Sequence, residues 1–146
     1  MSTTEKVGTL TFNYPQRPYL YTDALTPQIN EYKGINDILS SVESVKIGSL
    51  YVEVCTQLLA DGSNPGQVCL TFNLPEGSFQ GKFLQENMTS RGTFQPNSTN
   101  YGTIISGSGD FLGAIGTITS TTDETTLRKV KVCFVDNDVY PLPLPN

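Results

Sequence analysis

Between Leu50 and Gln57, and again between Gln67 and Leu74, apolar and mixed residues alternate, and the turn formers "DGSNPG" lie between the two runs. In the first run Leu50, Val52 and Val54 occupy one face, against Tyr51, Glu53, Cys55 and Gln57. In the second, Val68, Leu70, Phe72 and Leu74 oppose Gln67, Cys69, Thr71 and Asn73. Near the C-terminus Val130, Val132 and Phe134 oppose Lys129, Lys131 and Cys133. Only an extended backbone puts every second side chain on the same side. A chain that repeats this pattern folds into sheets with one face buried, because exposing the apolar set costs about 1.5–3 kcal/mol per large side chain.

The other strand candidates are short and closely spaced. They are "GTLTFNY", "SFQGKFLQE", "YGTIIS", "AIGTITST" and "TTLRKVKVCFV", flanking "KIGSLYVEVCTQLLA" and "QVCLTFNL". Short turns between them predict an antiparallel meander of about eight strands in an all-β fold. That number closes into a small barrel and removes exposed sheet edges. Tyr19 to Gly34 reads as irregular. "GINDILSSVESV" fits either a helix, with Ile35, Ile38, Leu39 and Val42 on one face, or a long crossing strand. Thr89 to Asn100 reads as a polar loop or broken strand. The length of 146 residues suits one domain. Residues 1–45 form an N-terminal strand plus irregular segment, and 136–146 a Pro-rich arm that Pro141, Pro143 and Pro145 bar from a central strand.

Composition excludes several function classes. The net charge is −5, and the nine Lys and Arg do not form the footprint that a nucleic-acid phosphate backbone requires. No apolar run approaches the roughly 20 residues of a membrane-spanning helix. The N-terminus "MSTTEKVG" lacks an apolar signal region, so an intracellular, cytoplasmic location is expected. Histidine is absent, which removes imidazole metal sites, Ser-His-Asp triads and Cys-His dyads. Cys55, Cys69 and Cys133 show no C-x-x-C spacing. No metal or cofactor is expected. A turn symmetric about Gly62 would set Cys55 opposite Cys69 on neighbouring strands.

Two arrangements of the strand faces fit. In one, the apolar faces fill the barrel and the mixed faces meet solvent, the common design of antiparallel sheets. In the other, the mixed faces line a cavity and the apolar faces pack outward against a partner. A barrel of this size either fills its interior with side chains or holds one small ligand.

The segment "TIISGSGDFLGAIGTI" resembles the glycine-rich "tGGtGxFxGAxG" turn of the allene oxide cyclase and dirigent family of calycin-like β-barrels. Ser106, Gly107, Ser108, Gly109, Phe111, Gly113, Ala114 and Gly116 carry the likeness. It extends in strand order from Lys46 to Val135. The resemblance implies a tight reversal between two late strands, with Phe111 plugging the barrel end. It also implies a cavity that steers the ring closure of an unsaturated fatty-acid epoxide. The family's functional groups are a first-strand carboxylate, an asparagine on the same face and a cysteine in the second long strand. Asn13 in "LTFNY" and Cys55 in "VEVCTQ" match the last two. The carboxylate position falls on Thr11, which is not acidic, and Glu53 on the Cys55 face is the acid that could replace it.

The expected function is therefore a cofactor-independent cyclase or isomerase acting on a small apolar metabolite. Such a reaction needs mainly a shaped, dry cavity. Cys55, Glu53 and Asn13 are its catalytic candidates, and Tyr51, Asn73 and Thr11 its ligand contacts. The alternative is a non-catalytic dirigent-like protein or carrier. The resemblance also implies a homo-oligomer, with a trimer favoured.

Overall fold

The computed structural model describes residues 8–15, 17–122 and 127–135. The expected Pro-rich arm at 136–146 lies outside the described residues. In chain order the strands are β1 (Gly8–Pro15), β2 (Tyr21–Ala24), β3 (Ile29–Ser40), β4 (Lys46–Gln57) and β5 (Gly66–Leu74). They continue with β6 (Gly77–Gln85), β7 (Thr99–Gly107), β8 (Ile115–Thr122) and β9 (Leu127–Val135). Every pairing is antiparallel, in the order β1-β9-β8-β7-β6-β5-β4-β3-β2. A further pairing of β1 with β3 closes the ring, so eight strands form the barrel and β2 is an extra strand on the outer part of β3. Among the described residues no helix is long and apolar enough to cross a membrane.

The segment that fits both a helix and a strand is strand. Residues of β3 pair with β4 from Ile29↔Gln57 to Leu39↔Lys46, with a register shift at Ile38/Leu39. Tyr32, Gly34, Asn36 and Ile38 point inward and are buried, while Ile35, which fits the helical face, is 57% exposed. A long strand partner outweighs a short stretch of helical periodicity, because pairing with β4 satisfies backbone groups of β3 along nearly its whole length. The irregular reading of Tyr19 to Gly34 is likewise corrected: it holds β2 and the start of β3.

The first arrangement of faces is the one adopted. Leu50, Val52, Val54, Val68, Leu70, Phe72, Val130, Val132 and Phe134 are all buried, with Phe79, Phe83 and Ile118 completing the core. Phe72 stacks on Phe79 at 4.8 Å, and Phe111 and Phe134 meet Phe79 at 5.0 and 5.4 Å. Each such ring pair contributes about 0.5–1.5 kcal/mol beyond area burial. Together they close the barrel end at which the β7–β8 reversal sits. The reversal contains a 3-10 turn at Gly109–Phe111. Gly109 and Gly113 adopt φ of 60° and 78°, left-handed values that a side chain disfavours. At Gly107 a Cβ would collide with the Phe111 carbonyl.

Candidate functional site

The opposite end of the barrel is built differently. Strand β1 pairs with β3 only through Phe12↔Ser40 and Asn13↔Leu39, and β2 pairs with β3 only between Asn30 and Lys33. Among the described residues no strand covers that edge of β3 from 34 to 38. Residues 17–20 cross there instead, tied by the Leu20 N–H to the Lys33 carbonyl at 2.9 Å. Tyr19 lies over Gly34, where a Cβ would stand 3.2 Å from its ring.

A loop at 86–98 forms the facing wall. Asn64 anchors it: its backbone N–H donates to Asn87 Oδ1 at 3.0 Å, and its Nδ2 donates to the Thr89 carbonyl at 3.1 Å. The hydroxyls of Thr89 and Thr93 are 2.7 Å apart and tighten the turn. Tyr19 donates its phenol to the Gly92 carbonyl at 2.6 Å, and Tyr32 donates to Ser90 at 3.5 Å. Gly92 sits at φ 73°, and a Cβ there would run into the Tyr32 ring.

Two adjacent hollows result. A cleft of about 660 Å³ runs between Arg17, Tyr19, Asp23, Asn30, Tyr32 and Arg91. It shares Arg17, Tyr19 and Thr93 with an inner crevice of about 40 Å³, whose floor includes Tyr14, Asn36, Val52, Leu70, Phe94 and Arg128. The cleft has the volume of a small-molecule site, whereas the crevice holds one water or a single functional group.

The floor is buried and sets polar groups among apolar ones. Arg128 is 3% exposed and lies over the Phe94 ring at 4.9 Å. Burial pushes the Tyr14 phenol above its ordinary value of 10.0, opposed by the Arg128 guanidinium and by the Ser120 hydroxyl. Among the described residues, buried Ser120 Oγ and Asn36 Oδ1 have no hydrogen-bond partner. Burial also pushes Tyr19 well above the usual phenol range. Tyr14 and Tyr32 add to that rise, and Arg128 opposes it. Both phenols therefore stay protonated and can donate hydrogen bonds. An acceptor without a donor, 7% exposed at Asn36, costs about 1–3 kcal/mol. A ligand donor entering the crevice would recover it.

The sequence candidates lie elsewhere. Tyr51, Glu53 and Cys55 share the outer face of β4, half-buried. Thr11 is exposed and pairs its hydroxyl with Ser41 at 3.0 Å. Asn73 is exposed and accepts from Ser78 Oγ at 2.7 Å. Asn13 is buried, but it alternates with Phe12 and Tyr14 and sits between Leu39 and Lys129 on the ladder. None of the six lines either hollow. The physical reason is the parity of the strands: Val52 and Val54 face inward, so Cys55 and Glu53 cannot. The expected Cys55–Cys69 facing is also corrected. The register pairs Cys69 with Glu53 and Cys55 with Gln67, because the loop is centred one residue earlier than Gly62. Burial and the Glu53 carboxylate push the Cys69 thiol up, with Lys82 opposing. Among the described residues no group of three His, Cys, Asp or Glu could hold a metal ion.

The floor residues had a signal in the sequence. Reading β9 backward by twos from Phe134 gives Val132, Val130 and then Arg128, so the buried face ends on a charge. In β3 the series Tyr32, Gly34, Asn36, Ile38 likewise has one amide in an apolar row. Tyr19 carries no such signal, since it lies on a connection.

The fold and this end of it define a closed, antiparallel, eight-stranded barrel with a cleft at one mouth. No protein-family profile matches the sequence, and no curated protein does either. Solved structures share the fold. The Diels-Alderase AbmU from Streptomyces koyangensis superposes with a TM-score of 0.63 at 13% identity, over 99% of this chain and 70% of that one. Pyocyanin demethylase superposes with a TM-score of 0.59 at 13% identity, over 87% of this chain and 99% of that one.

Proposed function

We propose that the protein is a small-molecule enzyme that binds a mainly apolar substrate in the cleft and steers its ring closure or isomerisation. The observation that carries this reading is the cleft walled by Tyr19 and Tyr32, adjoining through Arg17, Tyr19 and Thr93 a crevice lined by protonated Tyr14, buried Arg128 and Asn36, whose Oδ1 is unpartnered among the described residues. The apolar body would lie against the rings, and one polar group of the substrate would enter the crevice. Held this way, a flexible chain loses the freedom that opposes cyclisation, which is the larger part of what such a catalyst supplies. Donors from Tyr14 and Arg128 would stabilise negative charge developing on a carbonyl oxygen at the floor. The Diels-Alderase, named for a ring-forming cycloaddition, and the demethylase show that barrels of this shape carry small-molecule chemistry in other proteins, which supports the reading by analogy. Membership of the allene oxide cyclase and dirigent family remains part of the proposal. It rests on the glycine turn and not on the family's polar residues.

The deciding experiment follows isobaric products, by chromatography and mass spectrometry, from a set of linear polyenes bearing a conjugated carbonyl. Wild type is compared with Tyr14→Phe and Asn36→Leu. Cyclised product from wild type, reduced at least about tenfold in both variants, is the expected result. Tight binding without product would make the protein a carrier, and absence of both would remove the reading.

A further inference from the structure

We infer that the ligand of the cleft is an organic anion, its acidic group held at the mouth by Arg17 and Arg91. The inference rests on the reading of the cleft as a small-molecule site and names the substrate class. The chain has a net charge of −5 and 14 acidic residues, so an arbitrary hollow in it would be expected to be acidic. This end is the opposite. All three arginines of the sequence line the two adjacent hollows: Arg17 both of them, Arg91 the cleft and Arg128 the crevice. The acidic residue on the cleft wall is Asp23, and Tyr21 donates its phenol to that carboxylate at 3.2 Å.

Neither the Arg17 nor the Arg91 guanidinium has an ion pair or hydrogen bond among the described residues, and both side chains are exposed at the rim. Lys33 and Lys46, by contrast, are each paired with a carboxylate, Glu31 at 3.3 Å and Asp37 at 3.2 Å. Two guanidiniums that line one cleft from facing walls, neither paired with a carboxylate among the described residues, raise its affinity for an anion. Their planar forks match a carboxylate or a related oxyanion. Tyr19 and Tyr32, with ring centroids 5.1 Å apart, offer the surface for the rest of the molecule. The built floor, with Asn36 nine-tenths buried and its acceptor unpartnered, argues independently that this hollow receives a polar organic molecule.

The test uses two fluorescent probes with the same rings, anilinonaphthalene sulfonate and the neutral phenylnaphthylamine. Both are titrated against wild type, the Arg17→Ala/Arg91→Ala double variant, and Thr22→Trp, which crowds the cleft from β2. Wild type is expected to bind the sulfonate about tenfold more tightly than the neutral probe. The double variant should erase that preference while leaving the neutral probe within about twofold. Thr22→Trp should weaken both. A sulfonate that binds no better than the neutral probe, or a double variant that loses both equally, overturns the anion inference and leaves the apolar cleft standing. If neither probe binds, or Thr22→Trp affects neither, the cleft reading falls with it.

Discussion

The rings of Tyr19 and Tyr32 pack 5.1 Å apart at 35°, and each phenol donates to a carbonyl of the same loop, at Gly92 and Ser90. One tyrosine comes from a connection and the other from the inner face of β3. The pair thus joins three segments distant in sequence and fixes the mouth of the barrel. The shorter of the two bonds, from Tyr19, is part-buried, so its loss is felt both in stability and in the shape of the cleft.

Tyr19→Phe keeps the ring contact and removes the 2.6 Å bond to Gly92. It should cost about 1 kcal/mol, the net worth of a hydrogen bond plus a stranded carbonyl. Urea unfolding measures that loss. Hydrogen exchange should accelerate within the 86–98 loop and not in β5 or β6. Uniform acceleration would mean that the bond does not hold the loop in particular.

Tyr14 and Tyr19 give the protein an alkaline limit. Both phenols are raised in the folded state above the ordinary value of 10.0, chiefly by burial. The folded state therefore binds more protons than the unfolded one above pH 10. Their contribution is complete below that pH and declines as the pH climbs past it. Phenolate absorbance should show a late ionisation step that coincides with unfolding by circular dichroism. Tyr14→Phe should shrink that step. A single smooth titration with the fold intact would contradict the burial of both groups.

Phe111 is held between Phe79 and Phe134, at 5.0 and 5.5 Å. Phe111→Ala removes a half-buried ring from the closed end and should cost about 2–3 kcal/mol, somewhat less than full core truncation. Thermal unfolding should shift accordingly, while probe binding at the opposite end stays within about twofold. A matching loss of binding would show that the two ends are coupled.

Cys55 and Glu53 lie on the outer wall of β4, remote from the floor. Cys55→Ala and Glu53→Gln, at half-buried positions of that outer face, should each change stability by less than about 1 kcal/mol. Neither should weaken binding in the cleft. A collapse of turnover in either variant would move the chemistry to the outer face and restore the roles that the family resemblance implies for these residues.

Most of the strands and the composition of their faces follow from the sequence, because a strand's side chains alternate whatever they pack against; β2 and the start of β3, which read as irregular, do not. Leu50 to Val54, Val68 to Phe72 and Val130 to Phe134 show their parity without any structure. The glycines at 107, 109 and 113 likewise announce a reversal through backbone stereochemistry alone. Which parity faces inward is not local: it is decided when β1 closes on β3 and only one set of side chains can fill the ring. Closure also leaves β3 uncovered from 34 to 38 and gathers Tyr14, Tyr19, Asn36 and the three arginines at one mouth. Their neighbours there are far away in the chain, and register and loop length, which no short window of residues contains, bring them together.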